Sequence, residues 1–485
     1  MEDIPSISLS ETQVLGARYA PSLGRAVEHI WLSLTENISS LTWGPFLAFC
    51  KSQVLGALRG ISTGHLTIID GEDVHEFGAD EEPRALLCIR SDEFWTRVAL
   101  FTDLGLAESF MSSIVDCDDV STLIKLMIVN RDHLLRSLNS FASSLFARGR
   151  LLTSYNLIGT FANSRANVSA HYNIGDELFH AFLSPDMNYS SAIFSKLDAD
   201  LTGVPKDTLE DGQMRKMKMI LQKADIQPGD RVLEIGTGWG ALAILAARTI
   251  PGCKVDTVTL SSNQSAFARK RINEAGLSDS IVVHEMDFRE CFLKPEWAGA
   301  FDRFISVEMI EQVGKAFLTE YWKVVDWAMK PDTGVGVVQS TTFPEAPEAR
   351  NSDGAGFIDK WVRRFTILVY LSDLFPGGYL PTLCILMETM KLGSSGRLTV
   401  DSMVNIGPHY ARTLREWKRN FVDSWEETIA PALVRKYNLT AVEQEVFRRK
   451  WICDDYCEAG FSTRSLGDHI VAFTRAGNTS LRCDV

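Results

Sequence analysis

A strand that dissolves into three alternating glycines constrains this chain more than any other feature. It runs Arg231-Val232-Leu233-Glu234-Ile235-Gly236-Thr237-Gly238-Trp239-Gly240. It resumes as Ala241-Leu242-Ala243-Ile244-Leu245-Ala246-Ala247, an apolar run that reads as a buried helix. Glycines are needed there because the turn is tight and a ligand must approach bare backbone. The new helix then presents unpaired N–H groups to that ligand. Downstream, Lys254 to Leu260 reads as a second strand, Ser261 to Ala275 as a helix closed by Gly276, and Ile281 to Met286 as a third strand. Phe301 to Val307 reads as a fourth strand, Ile310 to Met329 as one long helix, and Val335 to Ser340 as a fifth strand. This alternation predicts an α/β chain with a doubly wound, Rossmann-like, largely parallel sheet. Its ligand should lie at the carboxyl ends of the strands.

The turn alone does not choose the ligand. Gly236, Gly238 and Ala241 also satisfy the G-x-G-x-x-G/A dinucleotide fingerprint, which wants an acidic residue closing the second strand. That strand ends Thr257-Val258-Thr259-Leu260-Ser261-Ser262-Asn263-Gln264, with Asp256 too early. S-adenosylmethionine is therefore favoured over NAD.

Acidic residues outnumber basic ones, 62 against 49, for a net charge of −13. That balance argues against nucleic acid as a partner. An acidic chain is repelled on average by anionic membranes, so a peripheral membrane contact would need a local patch. Nine cysteines are scattered without paired metal spacing, and only Cys453 and Cys457 lie an i,i+4 step apart. The expectation is no metal and reduced, mostly buried thiols. The start Met1-Glu2-Asp3-Ile4-Pro5 lacks the apolar core of a signal peptide, and no run approaches transmembrane length, so a cytoplasmic protein is expected.

Residues 1–155 read as a smaller α+β unit. Trp43 to Leu58 is helical, Gly64 to Gly71 a strand into a turn, Ala85 to Ile89 a second strand and Ser91 to Leu100 a helix, with helix again to about Leu152. This unit carries no catalytic constellation. Ala162 to Asn167 reads as a linker, and an aromatic and polar cluster follows it. The cluster runs His171-Tyr172-Asn173-Ile174-Gly175-Asp176-Glu177-Leu178-Phe179 and on through Phe182, Met187, Asn188, Tyr189, Ser190, Ser191, Ala192 and Phe194. It reads as a lid whose rings cover a cofactor and exclude water.

That cluster resembles the opening of the catalytic domain of the cyclopropane-fatty-acyl-phospholipid synthase and mycolic acid cyclopropane synthase family. Further matches follow in order: Leu233 to Gly240, Thr259-Leu260-Ser261 with Gln264, Phe301-Asp302-Arg303, and Glu308-Met309-Ile310-Glu311-Gln312-Val313-Gly314. Beyond them lie Phe375-Pro376-Gly377-Gly378-Tyr379-Leu380-Pro381, His409 to Leu414 with Trp417, and Trp451 to Phe461. In the first unit, Asp103 to Ser109 is similar to the family's N-terminal domain. The resemblance covers most of the chain. It implies an accessory domain over 1–155 and a methyltransferase catalytic domain over 156–485.

It also implies methyl transfer from S-adenosyl-L-methionine to a carbon–carbon double bond, leaving a carbocation that loses a proton to close a cyclopropane. A neutral alkene is a poor nucleophile that no base can activate. The enzyme must supply proximity, dryness and a cation-tolerant wall, which aromatic faces and a carboxylate provide. By resemblance the cofactor residues are Tyr189, Gly236, Gly238, Trp239, Thr259, Gln264, Met286 and Asp287. The family's proton acceptor is a bound bicarbonate, and Glu311 and Tyr410 match two positions that hold it. Ser191 stands where a cysteine is usual and Gln339 where bacterial members carry histidine, while Gln312 and Thr341 replace a histidine and an aliphatic residue. Ser, Gln and Thr still donate hydrogen bonds, so bicarbonate stays open and so does another fate for the cation. Glu311, Tyr410, Ser191 and Gln339 form the candidate catalytic set.

Lys360 to Leu371 joins a basic start to an apolar run, where the family runs almost straight into Phe-Pro-Gly-Gly. It reads equally as a lipid-facing lid or a core helix. The expected function is C-methylation or cyclopropanation of an unsaturated fatty-acyl lipid. Two alternatives stand beside it: an unsaturated small-molecule acceptor such as a terpenoid or polyketide, and an inactive lipid-binding homologue. The oligomeric state stays open, a homodimer included.

Overall fold

The computed structural model describes residues 40–134, 176–345 and 378–481, apart from 102, 132, 204–206 and 454–455. The linker Ala162 to Asn167, the start of the aromatic cluster with Tyr172, and Lys360 to Leu371 lie outside these residues. The chain divides into two compact units. Among the described residues the first takes 40–134 with 433–459, and the second takes the rest.

The first unit holds a four-stranded sheet in the order β2-β1-β3-β4. Its strands are β1 (His65–Asp70), β2 (Asp73–Gly78), β3 (Arg84–Ile89) and β4 (Val115–Cys117). Two of these were legible as strands. β2 was not, because its Asp-Val-His-Glu-Phe-Gly run is a largely exposed edge with little apolar alternation. Leu66 and Ile68 of β1, Leu87 of β3, Trp95 and Leu123 build the core of this unit. The indole N–H of Trp95 donates to Asp70 at 3.0 Å, which satisfies a polar atom on a fully buried ring.

The second unit is built on a seven-stranded sheet in the order β10-β11-β9-β8-β5-β6-β7. The parallel strands are β5 (Arg231–Ile235), β6 (Lys254–Thr259), β7 (Ile281–Glu285), β8 (Arg303–Val307) and β9 (Val335–Thr342). β10 (Leu398–Asn405) and β11 (Gly467–Arg475) add antiparallel to the β9 edge. Central strands here are apolar without alternation because both faces are covered. Leu233, Phe304, Val338 and Phe473 face one core with Tyr321 and Trp322. Val232, Val255, Ile305 and Ile470 face another with Met217, Ile220 and Leu242.

Two expected elements are corrected. The helical run expected on to about Leu152 is interrupted by β4 before the helix Val120–Val129 begins. Ile310 to Met329 is not a single helix: Gly314 takes φ +79° and separates short 3₁₀ turns at Ile310–Gln312 and Lys315–Phe317 from the α-helix Leu318–Ala328. A glycine in that backbone region ends a helical run at little steric cost. The two antiparallel strands, which lie far along the chain, were not anticipated.

From β5 the chain winds outward through β6 and β7, then returns to the other side for β8 and β9. The order therefore reverses between β5 and β8, and a crevice at that switch point is where such sheets bind ligands.

Candidate active site

The glycine turn leaves β5 at its carboxyl end. Gly236, Gly238 and Gly240 have φ of +107°, +50° and +86°, a region that side chains rarely adopt. The N–H groups of Gly236 and Thr237 donate to Val258 at the end of β6 (2.9 and 3.2 Å), locking the turn to the next strand. A Cβ on Gly238 would meet nothing within 4 Å, so open space stands before this backbone. That space fits an adenosyl cofactor. Thr259 and Gln264 lie beside it, joined at 3.1 Å, and the Met286 N–H donates to the Thr259 carbonyl at 3.0 Å. Asp287 is differently employed. Its carboxylate accepts from Nε and Nη2 of Arg289 (2.8 and 2.7 Å) and caps the 3₁₀ turn Phe288–Leu293, so it offers a ligand mainly backbone.

Buried Glu234 accepts a hydrogen bond from Thr257 Oγ1 just below the turn, and burial pushes its carboxyl up to about 7.

Aromatic rings run from the turn toward the far end of β8 and β9. Trp239 packs on Phe179 (5.1 Å between centroids), Phe179 on Tyr189 (5.3 Å), and Tyr189 stacks on Trp417 (5.1 Å, 29°). Trp417 meets Tyr410 edge-on, and Tyr410 stacks on Phe461 at 4.4 Å and 13°. These rings form a continuous aromatic wall between the turn and the cluster.

At the end of that wall three of the four sequence-predicted catalytic residues, Ser191, Gln339 and Tyr410, converge on a carboxylate outside the expected set. Glu308 Oε1 accepts from the Ser191 N–H (2.8 Å) and from Gln339 Nε2 (2.7 Å), and Oε2 accepts from the Tyr410 hydroxyl (2.7 Å). Glu308 has φ +46°, a position where non-glycine residues are uncommon and often functional. Its own N–H donates to the Gln339 carbonyl at 2.9 Å, which holds it there. Gln339 spends its second amide hydrogen on Asp468 of β11 (2.9 Å). Burial and the neighbouring Glu308 push the Asp468 carboxyl well up, and burial also raises Glu308. Of the two, Asp468 is pushed further toward its neutral form, because the neighbouring Glu308 adds to burial there.

Glu311 stands apart from this knot. Its Oε1 accepts from the Thr341 N–H at 2.6 Å, while buried Oε2 has no partner among the described residues. Burial first, and then the charge of Glu308, push its carboxyl up to about 8.

Beneath the cluster, Lys216 is fully buried and donates to Ser190 Oγ at 2.6 Å. Burial lowers its pKa, opposed first by the charge of Glu308 and then by that of Asp186. Gln213 donates to the Ser190 carbonyl at 2.7 Å, Thr413 Oγ1 accepts from the Ala192 N–H at 3.0 Å, and His409 Nδ1 accepts from the Phe194 N–H at 3.1 Å. The segment carrying Tyr189 and Ser191 is therefore clamped by two helices, Leu209–Lys223 and Gly407–Asp423.

Glu308, Asp468 and Lys216 were missed from sequence. Lys216 did leave a signal: it and Gln213 interrupt the buried stripe Leu209, Gly212, Met217, Ile220 and Leu221 of their helix.

A glycine turn at the switch point, a Thr/Gln pair joining the end of the next strand to the start of its helix, and an aromatic wall define an S-adenosylmethionine-dependent methyltransferase. A family model described as mycolic acid cyclopropane synthetase matches residues 161–452, and the chain belongs to that family. The tuberculostearic acid methyltransferase of Mycobacterium tuberculosis is 28% identical over 91% of this chain and 95% of its own length. The cyclopropane-fatty-acyl-phospholipid synthase of Escherichia coli is 29% identical over 81% of this chain and 89% of its own length. A solved cyclopropane synthase from M. tuberculosis superposes with a TM-score of 0.53 at 24% identity, over 64% of this chain and 98% of that one, a likeness of fold.

Proposed function

We propose that this chain transfers the methyl group of S-adenosylmethionine to a carbon–carbon double bond of an unsaturated fatty-acyl lipid, through a carbocation that then loses a proton. The observation carrying this reading is the aromatic wall that links the glycine turn to the carboxylate cluster. Methylation of an oxygen or nitrogen needs neither a wall for a cation nor an acceptor for a carbon-bound proton; methylation of an alkene needs both. Residues 156–485 would carry the chemistry and 1–155 an accessory domain, with Leu433–Ala459 packing in the first unit.

Gly236 and Gly238 leave backbone bare for the cofactor, with Thr259, Gln264 and Met286 beside them. Bound there, S-adenosylmethionine supplies an electrophilic methyl group. Phe179, Tyr189, Trp417 and Tyr410 exclude water and face the developing positive charge. Ser191, Gln339 and Tyr410 orient the carboxylate end, and Glu311 supplies a second, mostly neutral carboxyl near neutral pH. The test is incubation with unsaturated phospholipid and a trideuteromethyl cofactor, followed by mass spectrometry. Products one carbon heavier support the reading, and loss of one deuterium places proton loss on the transferred carbon. Turnover of a short terpenoid with none on acyl lipid would replace the acceptor class.

No helix among the described residues is long and apolar enough to cross a membrane. We assign peripheral contact to Lys360 to Leu371 on sequence alone, through Lys360, Arg363 and Arg364. Each basic residue near an anionic surface contributes about 1 kcal/mol. Arg363→Glu with Arg364→Glu should weaken co-sedimentation with anionic vesicles in a salt-dependent way, and equal binding by both proteins would retire this contact.

A further inference from the structure

Three residues that the family resemblance assigns to a bicarbonate seat donate to a side chain of this protein. The Ser191 N–H, Gln339 Nε2 and the Tyr410 hydroxyl all end on Glu308, at 2.7 to 2.8 Å. A carboxylate and a bicarbonate share the same planar pair of acceptor oxygens, so the two compete for one set of donors. A carboxylate has about four acceptor positions. Three are taken by these donors and the Asp468 carboxyl hydrogen-bonds to Glu308 as well, so a proton arriving on Glu308 displaces one of these contacts. The residues present therefore do not fit a bicarbonate at these donors.

We propose that the Glu308 carboxylate is this enzyme's proton acceptor and occupies the bicarbonate position, so that turnover does not require the ion. This rests on the alkene-methylation reading above. The balance is complete. The alkene π pair forms the new carbon–carbon bond as the sulfur–methyl bond breaks, and the sulfur keeps the bonding pair as a neutral thioether. The cation then gives a C–H proton to Glu308, and that C–H pair closes the ring or forms a new double bond. Glu308 becomes a neutral acid and returns the proton to water after product leaves. The site supports this assignment in two ways. Glu308 is half-buried as a residue, although its carboxyl is enclosed enough for burial to raise it, whereas Asp468 and Glu311 are buried throughout. Asp468 also shares the Gln339 amide and is pushed further toward its neutral form than Glu308, so of the two Glu308 is the one set to carry charge.

The left-handed backbone at Glu308 suits glycine, so Glu308→Gly should fold while emptying the seat. Titration with ¹³C-bicarbonate, read by NMR linewidth, needs no turnover. The parent should show no saturable binding and Glu308→Gly should show it. In carbonate-free buffer the parent should keep its rate, Glu308→Gln should lose about 100-fold or more with unchanged cofactor affinity, and Glu308→Gly should regain activity on adding bicarbonate. Saturable bicarbonate binding by the parent, with no gain in Glu308→Gly, overturns the proposal. So does a parent rate that collapses without bicarbonate. A parent that turns over no alkene in any buffer overturns the alkene reading instead, and the NMR titration still decides who fills the seat.

Discussion

At the glycine turn, the bonds that hold the site come from close by in sequence. Gly236 and Thr237 reach Val258, and Thr259 reaches Gln264 five positions on. At the carboxylate end, Glu308 takes donors from Ser191, Tyr410 and Gln339, which lie 117, 102 and 31 positions away. The first end is a property of backbone shape, and any side chain that leaves the glycines alone leaves it intact. The second is a property of the whole sheet, because β8, β9, β11 and two helices must all be in register before the donors meet. Damage should therefore be all-or-none at the turn and graded at the cluster.

The largest expected effect tests the first half of that contrast. Gly238→Val puts a branched side chain into the space before the backbone and should abolish saturable S-adenosylmethionine binding by calorimetry. Adopting φ +50° costs such a residue about 1–2 kcal/mol, small beside a typical folding stability of about 5–15 kcal/mol, so circular dichroism should stay native. Unchanged affinity in a folded variant would separate the turn from the cofactor. The next effect addresses the second half. Glu311→Leu should lower kcat by about 100-fold and leave cofactor affinity alone, the pattern of a group felt in the transition state. A matching loss of affinity would mean that the two ends are one structural unit and the contrast fails.

The smallest effect is on stability. The Glu311 carboxyl titrates near 8 in the folded chain, against about 4.3 in an unfolded one. The native state therefore binds more protons between those values, and this group's contribution to stability declines as pH rises through that window. Glu311→Gln removes the decline, so its melting temperature relative to the parent should climb from pH 5 to pH 9. A flat difference would place the carboxyl at an ordinary acidity and return Glu311 to the ionised role.

The same contrast explains what could be read in advance. β5 to β9 were legible because covered parallel strands are rich in apolar and β-branched residues, and the turn because glycine readily adopts its backbone. β10 was not, since Leu398–Asn405 is largely exposed and reads as polar, and β11, a buried run far along the chain, was not singled out. Ser191, Gln339, Tyr410 and Glu311 were singled out by resemblance, but the carboxylate on which the first three meet was not. A glutamate in a left-handed backbone leaves no mark in sequence, and Asp468 reaches the cluster only once β11 has paired with β9.

The forked amide of Gln339 has a historical consequence. Its two hydrogens serve two carboxyls, one each, and an imidazole nitrogen beside them could serve only one. Position 339 and position 308 are therefore a single heritable decision. A lineage passing between a histidine there and the glutamine found here would cross a valley if it changed one residue at a time, and drift at either position alone should be purged. Directed evolution started from this chain would reach histidine at 339 soonest in a background that had already surrendered Glu308.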